Sequence, residues 1–405
     1  MSVRNNPSST LTASGTRRAG DLLQLLLDGE PCTRADLVET TGQSRTTVRF
    51  KLDQLVAAGL VQRVGEAPST GGRPAIRFAF NPDARVVLAI DIGNTHARLA
   101  VCNLGGEIIT DHLMEVHAEN GPEELLDEVL AQSHTLLDST GRASELAGVG
   151  VGVPVGVDRS TGHVIDASAL PKWFGYDLRA RISSAFDRPV AIDNDVNLMA
   201  RGEISALPAE VEHLVFLKLA SSLSSGIIVG RRVVHGVRGM AGNISHVRVA
   251  DSDAECACGK RGCLEVVASG AALVAQMAQI DPAITSEIDL VTLVRQGDEQ
   301  ANAIISRAGT RLGEALATFV DLLNPAVVVI GGVLALAGEP LLSEIRAQVE
   351  AHAHYSATAE LEIITAQAEQ KAGVLGASSL IIDHVLAPES VDQYVNEITQ
   401  DALTG

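Results

Sequence analysis

The sequence predicts an α/β protein with a two-lobed main body, preceded by a small domain of three helices and a β-hairpin. Apolar strands recur from residue 86 onward with helical stretches between them, which is the pattern of an α/β architecture. The 405 residues are 46% apolar, enough for two or three domains that each have a core.

The net charge of −19 is unevenly distributed along the chain. Residues 1 to 81 carry a net charge of +3, and the remaining residues carry −22. Because an acidic surface repels phosphate, only the first part is expected to contact a polyanion. The aromatic content of 3% argues against a protein that stacks single-stranded bases.

The chain contains no apolar run that approaches the roughly 18 to 20 residues needed to span a bilayer. Its N-terminus, MSVRNNPSSTLTASG, lacks the apolar centre of a secretory signal. We therefore expect a cytoplasmic protein without a membrane partner.

The N-terminal segment begins with residues 1 to 16, which are polar and without periodicity, so we expect a disordered arm. A leucine-rich helix comes next. Thr33 is expected to cap a second helix that ends at Gly42, and Ser44 to cap a third that ends at Gly59. An alternating segment then turns at a glycine pair and returns as a second strand.

Three helices and a hairpin are typical of a winged helix-turn-helix domain, which we place at residues 17 to 81, with residues 82 to 405 as the main body. In such a domain the first turn of the third helix contacts base edges in the major groove of double-stranded DNA. The side chains expected to contact an operator there are Arg45, Thr46, Thr47 and Arg49. Arg73, at the tip of the hairpin, is expected to enter the minor groove. The alternative is that the module only packs on its neighbour.

The main body changes composition at Val86. VVLAIDIGNTHARLAVCNLGGEI predicts a β-hairpin with a buried first strand and Asp91 near that strand's end. Further apolar strands are expected at residues 146 to 157, 189 to 195, 213 to 220, 225 to 236 and 326 to 334. Helices are expected at residues 122 to 137, 197 to 207 and 299 to 323. The length implies two lobes with a cleft between them.

Three of the five cysteines fall within eight residues, and a histidine lies ten residues upstream of them. The four residues are His246, Cys256, Cys258 and Cys263. Four soft or borderline ligands suit tetrahedral Zn²⁺ and leave no open position for chemistry. The loop over residues 246 to 263 is therefore predicted to hold a structural zinc ion. The alternative is a set of reduced, buried cysteines near an unrelated histidine.

These motifs together resemble the ROK family (repressor, open reading frame, kinase). The most specific match is GVRGMAGNISHVRVADSDAECACGKRGCLEVVASG, residues 236 to 270. DIGNTHARLAV, VPVGVD, DNDVN, VVVIGGVL and AGVLGAS support it, so the resemblance covers nearly the whole chain. It implies an actin-like, ribonuclease H-like fold of two lobes, and the winged helix ahead of it resembles the regulators of the family.

The resemblance also implies a sugar-binding cleft. In the family's kinases the aspartate matching Asp195 takes the proton from a sugar hydroxyl, and the asparagine matching Asn194 holds another hydroxyl. His246 and Glu265 match residues that contact the sugar, and Asn243 stands where the family has a glutamate. The alternative for DNDVN is that its polar residues cap the following helix.

Two loops depart from the phosphate-binding loops of the family's kinases. In the first, Asn94 replaces a glycine and His96 replaces a lysine. In the second, residues 220 to 226, three of four glycines have acquired side chains. Because an added Cβ blocks the approach of phosphate to backbone N–H groups, we expect ATP binding to be lost or very weak. Asp195 is then a vestigial base, and the protein is predicted not to be an enzyme.

The leading hypothesis is a sequence-specific DNA-binding regulator of carbohydrate metabolism, a repressor controlled by a sugar or sugar phosphate. It is expected to act as a homodimer or homotetramer on its operator. The first alternative is an ATP-dependent sugar kinase with an appended DNA-binding module. The second is control by a protein partner that docks on the main body, with no small ligand.

Overall fold

The computed structural model describes residues 18–27, 29–66, 74–167 and 170–404. The chain forms three parts: the head (residues 18 to 80), the first lobe and the second lobe. The predicted N-terminal arm and Arg73 lie outside the described residues.

The head contains the predicted three helices followed by a hairpin. The helices are α1 (Ala19–Leu27), α2 (Arg34–Thr41) and α3 (Arg45–Ala57). The strands are β1 (Cys32–Thr33), β2 (Val61–Glu66) and β3 (Ile76–Phe80). Strand β3 pairs antiparallel with β2 on one side and with β1 on the other.

The turn between α2 and α3 is specified by short-range contacts. The Thr33 side chain caps α2 by accepting a hydrogen bond from the Asp36 N–H. Gly42 ends the helix with φ 66°, and its N–H donates to the Val38 carbonyl at 2.9 Å. The Ser44 hydroxyl then accepts from the Thr47 N–H at 3.1 Å and begins α3. The three-residue turn of a helix-turn-helix results from these caps.

The first lobe is built on a five-stranded sheet of order β10-β7-β4-β5-β6. Its strands are β4 (Val86–Ile92), β5 (His96–Asn103), β6 (Ile108–Glu115), β7 (Leu146–Val153) and β10 (Val190–Asn194). A separate pair is formed by β8 (Gly156–Val157) and β9 (Val164–Asp166). The helices are α4 (Pro122–Ser139) and α5 (Leu178–Phe186). Strands β4, β7 and β10 run parallel, and β5 and β6 continue β4 as an antiparallel meander.

The second lobe repeats this pattern in a sheet of order β13-β12-β11-β14-β15. Its strands are β11 (Leu214–Leu219), β12 (Leu223–Val229), β13 (Arg232–Val233), β14 (Val327–Gly331) and β15 (Glu362–Thr365). Its helices are α6 (Asp195–Ala206), α7 (Glu265–Ala268), α8 (Gly270–Ala278), α9 (Glu287–Gln296), α10 (Glu299–Leu323), α11 (Glu339–His352) and α12 (Tyr355–Thr358). The chain ends with α13 (Ala372–Val385) and α14 (Pro388–Thr404).

Helices α6 and α13 cross at close range between the lobes. A Cβ added to Gly202 of α6 would lie 2.0 Å from the Ala372 carbonyl oxygen. One added to Gly376 of α13 would lie 1.9 Å from the Leu198 carbonyl oxygen. Only glycine permits this backbone approach, which ties the helix that begins at the cleft to the C-terminal helices.

The head packs on the C-terminal helices and shares their apolar core. Leu22 of α1 and Val391 of α14 belong to one buried cluster. The Gly20 N–H donates to the Asp392 carboxylate at 2.9 Å, and Gln24 Nε2 donates to the Leu386 carbonyl at 2.8 Å. The sequence pattern did not reveal this packing of the head on the C-terminal helices. The domain boundary between residues 81 and 82 stays a prediction.

Across the described ranges, no single helix is both long and apolar enough to cross a membrane. The pair α13 and α14, bent by 66°, meets the requirement of length and composition only when its two helices are taken together.

Candidate functional site

A cleft of about 530 Å³ lies between the two lobes. Its walls come from the end of β7, the start of α6, the β11–β12 turn and the segments around residues 240 and 256. The five residues expected to bind sugar all line it: Asn194, Asp195, Asn243, His246 and Glu265. The fold thus brings together residues that are up to 71 positions apart in the sequence.

Asp195 forms a buried ion pair at the bottom of this cleft. Its Oδ2 accepts from Lys218 Nζ at 2.5 Å, and its side chain is only 6% exposed. Burial lowers the pKa of Lys218, but the charge and hydrogen bond of Asp195 and the charge of Asp91 raise it by more. Lys218 was not predicted as a site residue, although a single cation in the apolar strand HLVFLKLA is a usable signal.

Asp91, near the end of β4, lies close to this pair. Burial, and then the charge of Asp195, raise its pKa to about 7, while Lys218 and Arg98 act in the opposite direction. A Cβ on Gly373 would lie 1.9 Å from Asp91 Oδ2, so the start of α13 packs directly on this carboxyl group.

Asn194 caps α6 and contacts the segment that follows β7. Its Oδ1 accepts from the Val196 N–H at 3.1 Å, and its Nδ2 donates to the Val155 carbonyl at 3.1 Å. The capping alternative for this motif therefore applies to Asn194. A bound ligand would have to share these two polar atoms with the backbone.

Asp193 is buried behind the cleft and has three side-chain partners. It accepts from Asn197 Nδ2 at 3.0 Å and bonds with His235 Nε2 at 2.7 Å, and Arg159 Nε lies 3.2 Å away. Burial raises the pKa of Asp193, but His235, Asn197 and Arg159 lower it by more, so this carboxylate is ionised well below neutral pH.

Glu265, the first residue of α7, and Asn243 present polar atoms at the cleft. Glu265 Oε2 accepts from the Leu223 N–H at 2.9 Å, and burial raises the pKa of Glu265 above its usual value despite that bond. Asn243 Oδ1 accepts from the Ser245 hydroxyl at 2.7 Å. Asn243 is exposed, so its amide nitrogen is accessible to a ligand.

The β11–β12 turn, residues 220 to 222, is hydrogen-bonded to the start of α8. The Ala220 carbonyl accepts from the Gly270 N–H at 2.7 Å, and the Ser221 carbonyl accepts from the Ala271 N–H at 3.2 Å. Next along the chain, Ser225 donates from its hydroxyl to the Gly242 carbonyl. These serines are thus part of a strand and a turn that are already anchored to the protein.

The three cysteines and the histidine of the loop over residues 246 to 263 converge. The ligand atoms of His246, Cys256, Cys258 and Cys263 all lie within 4.8 Å of one another. Cys256 Sγ lies 3.7 Å from His246 Nδ1, and Cys258 Sγ lies 3.6 Å from Cys263 Sγ. Tetrahedral zinc with Zn–S bonds of about 2.3 Å requires ligand separations of roughly 3.5 to 3.8 Å. These two separations match a four-coordinate metal.

Two glycines allow this loop to close around the four ligands. Gly259 has φ 84°, and its N–H donates to the Cys256 carbonyl at 2.9 Å. Gly262 has φ 70°, and a Cβ there would lie 2.2 Å from the Ser252 carbonyl oxygen. Both positions need the left-handed backbone that glycine adopts readily.

The first turn of α3 is exposed at the surface of the head. The residues expected to contact DNA there, Arg45, Thr46, Thr47 and Arg49, are all exposed. The Thr47 hydroxyl lies 2.8 Å from that of Ser44, and Arg49 Nε lies 3.5 Å from Asp53. Phe50 beside them is 65% exposed. Val48 and Leu52, on the opposite face of α3, are fully buried in the head.

A duplicated α/β body with a polar cleft, a metal-ligand loop and a helix-turn-helix head defines a two-lobed protein of the actin-like, sugar-kinase type with an added head. A profile of the ROK family matches residues 87–384. The chain belongs to the ROK family.

Two relatives and one solved structure are informative. A "putative xylose repressor" of Caldicellulosiruptor sp. (strain Rt8B.4) is 28% identical over 381 residues, covering 90% of this chain and 95% of the relative. A "glucokinase" of Halalkalibacterium halodurans is 28% identical over 320 residues, covering 73% of this chain and 95% of the relative. A crystal structure described as a ROK family transcriptional regulator, homolog of the E. coli MLC protein, aligns with TM-score 0.78 and 23% identity, over 94% of this chain and 98% of that one. The predicted family and fold class are confirmed.

Proposed function

We propose that this protein is a DNA-binding repressor of carbohydrate metabolism whose interlobe cleft binds a sugar effector. One observation carries the proposal: a single chain joins an exposed, capped recognition helix to a polar cleft, through helices that pack on both. The similarity to the xylose repressor supports it, because that match extends over 90% of the chain.

The head is proposed to bind operator DNA through the first turn of α3. Arg45 and Arg49 project from this turn into solvent, where a bidentate arginine contact with guanine is feasible. Thr46 and Thr47 flank them, and Arg73 is proposed to reach the minor groove. A homodimer or homotetramer would place two such helices on a palindromic site, one helical turn of DNA apart.

The DNA proposal is tested on genomic fragments that the full-length protein retains, one of which then serves as the operator. Arg45→Ala is expected to weaken binding to this fragment by about tenfold or more, since one good base contact contributes roughly 1 to 3 kcal/mol. Arg307→Ala removes the same charge from an exposed position of α10 and should leave affinity unchanged. Equal affinities of wild type and Arg45→Ala would refute the placement of the recognition helix.

The effector is proposed to be a neutral monosaccharide, and the relative's name makes D-xylose the first compound to test. Asn243 offers an accessible amide, and Glu265, Asn194 and Asp195 add further polar atoms around the same space. His246 lines the cleft with its Nδ1 turned to Cys256, so its Nε2 is the ring atom left for a sugar hydroxyl.

Calorimetry on the full chain tests this cleft. D-xylose should give saturable heat, Asn243→Ala should reduce its affinity, and added xylose should release the operator fragment. If Asn243→Ala binds D-xylose with the same affinity as wild type, the assignment of the sugar site to this cleft is excluded. Absence of heat with a panel of pentoses and hexoses would favour control by a protein partner on the main body.

A structural Zn²⁺ is proposed for the loop over residues 246 to 263. Its four ligands, His246, Cys256, Cys258 and Cys263, leave no open coordination position, so the ion orders the cleft wall and does not activate water. One mole of zinc per chain by elemental analysis is the expected result.

A sugar kinase is the second candidate, favoured by the retained Asp195 and by the similarity to a glucokinase. Against it, Asp195 is paired with Lys218 at 2.5 Å, whereas a general base must be free to accept the substrate's proton. The anchored serine-containing turn also offers no glycine-rich phosphate cradle. Turnover of hexoses or xylose with Mg-ATP that disappears in Asp195→Asn would establish the kinase instead.

A further inference from the structure

A second cavity, of about 440 Å³, lies where the head, the first lobe and the second lobe meet. Gln24 and Leu27 of α1 form one side of it, and the α13–α14 junction forms another. Its charged and titratable lining consists of Arg159, Arg201, Arg231, Arg232, His235 and Asp383. No residue lines both this cavity and the sugar cleft, so the assignment of a ligand to the cavity does not depend on the identity of the proposed sugar effector.

The charge of this lining is opposite to that of the protein. Four arginines line the cavity together with one aspartate, in a chain whose net charge is −19. Such a concentration of positive charge in a concave site attracts small anions, while the rest of the main body repels them.

Two of the arginines are held in place by the protein. Arg231 donates to the carbonyls at the end of α6 and beyond it, including Ile204 at 2.6 Å and Val211 at 2.7 Å. Arg201 donates to Ser379 Oγ at 3.0 Å and pairs with Asp383. Both guanidinium groups are therefore preorganised at the cavity.

The other two arginines are more accessible. Arg232 is exposed. Arg159 is 42% exposed, and it lies 3.2 Å from Asp193 and 3.3 Å from His235. These side chains can reorient toward a ligand without leaving a buried carboxylate unpaired, because His235 still bonds to Asp193.

We propose that this cavity binds a small phosphate-bearing metabolite as a second effector site. Arg232 and Arg159 can donate paired hydrogen bonds to phosphate oxygens, and the held guanidinium groups of Arg201 and Arg231 add fixed positive charge. This combination suits a multiply charged phosphate ester or diphosphate. A DNA backbone is the less suitable occupant, because the cavity is recessed between three parts of the molecule.

The cavity is in contact with segments that also form the sugar cleft and the head. Asp193 is bonded by Arg159 and His235 on the cavity side and is followed directly by Asn194 and Asp195 on the cleft side. Residues of α1 form part of the cavity wall. Phosphate binding is therefore coupled to sugar binding and to the position of the head, and the coupling between two ligands must be reciprocal.

Calorimetry on the full chain with inorganic pyrophosphate, and separately with glucose 6-phosphate, tests the proposal. Saturable heat is expected with pyrophosphate. Arg232→Ala should weaken its binding by about tenfold, the value of one charge-assisted contact. Asp383→Asn removes the carboxylate that lines the cavity and should strengthen it. Arg307→Ala, at an exposed position of α10 that lines neither site, should leave it unchanged, which separates this site from general charge effects.

Several results would overturn the proposal. These are absence of heat with both phosphates, equal weakening in Arg232→Ala and Arg307→Ala, or heat with citrate but with neither phosphate. Loss of operator affinity in Arg232→Ala without phosphate binding would assign the cavity to the DNA backbone instead.

Discussion

The two lobes are built on the same plan, and their differences locate the function. Each sheet starts with an antiparallel meander, β4-β5-β6 or β11-β12-β13, and adds two parallel strands beside its first strand. Each first hairpin turns within three residues, at 93 to 95 in the first lobe and at 220 to 222 in the second. The lobes therefore offer equivalent backbone positions around the cleft.

Those equivalent positions carry opposite charges. Asp91 is the penultimate residue of β4, and Lys218 is the penultimate residue of β11. Each lies opposite a glycine of the adjacent parallel strand, Gly152 or Gly331. Their charges act on each other's pKa, with Asp195 as the ion-pair partner of Lys218. The duplicated fold thus brings an acid and a base from its two halves to one site.

The connections that come after the two meanders also differ. In the first lobe a single long helix, α4, leads to β7, whereas the second lobe inserts the metal-ligand loop and α7, α8 and α9 before α10. Asn243, His246 and Glu265 all belong to the inserted segment. The polar residues of the cleft that have no counterpart in the first lobe therefore come mainly from the segment inserted in the second lobe.

The largest effect is expected from the metal-ligand loop of the second lobe. Cys263→Ser should abolish binding of the proposed zinc ion and lower the free energy of unfolding by on the order of 5 kcal/mol, because metal binding at such a site contributes directly to folding. Zinc content and thermal unfolding measure this. Cys102→Ala, at a buried cysteine of β5 in the first lobe, should retain the zinc; metal retained by Cys263→Ser would contradict the site.

The next effect concerns the cation of the second lobe. Lys218→Met leaves the Asp195 carboxylate buried without its partner and should cost about 3 to 5 kcal/mol of stability at pH 7. Urea unfolding measures it. The double variant Lys218→Met/Asp195→Asn should recover most of the loss. Equal instability of the single and double variants would show that packing, and not the ion pair, is responsible.

At the equivalent position of the first lobe, Asp91, a substitution should change how the protein's stability depends on pH. The folded-state pKa of Asp91 is about 7, above its usual value of 3.8, so the folded protein retains a proton that the unfolded chain loses. The stability due to this group is fully present below about pH 4 and declines as pH rises through 7, by roughly 4 kcal/mol at most.

The stability of Asp91→Asn relative to wild type should therefore increase between pH 5 and pH 7 and level off above pH 7, as measured by thermal unfolding at each pH. A stability difference that does not change with pH would rule out the elevated pKa of Asp91.

The smallest change in stability is expected at the start of α10, the helix that leads into β14, which differs in its N-cap from α4, the helix that leads into β7. Asp298 caps α10 by accepting from the N–H groups of Gln300 and Ala301, at 3.0 and 2.8 Å, whereas Gly121, the N-cap residue of α4, provides no side-chain cap. Asp298→Ala should cost about 1 kcal/mol, and Asp298→Asn should cost much less. If both substitutions have the same effect, the cap is not the cause.

Much of the head and of the metal loop could be predicted from the sequence. The caps at Thr33 and Ser44 and the helix end at Gly42 result from contacts within four residues. The ligand spacing of the cysteine loop is equally local, and its four residues do converge. Strands β6 and β15 and the last two helices were not predicted.

The sequence by itself determined the caps, the long helix α10 and the set of metal ligands, because short-range hydrogen bonds, periodicity and ligand chemistry specify these features. Only the tertiary structure decided that Lys218 pairs with Asp195, that Arg159 and His235 meet at Asp193, and that four arginines surround one cavity. Those contacts join residues dozens of positions apart, and they form because two sheets and the helices between them bring distant segments to the same place.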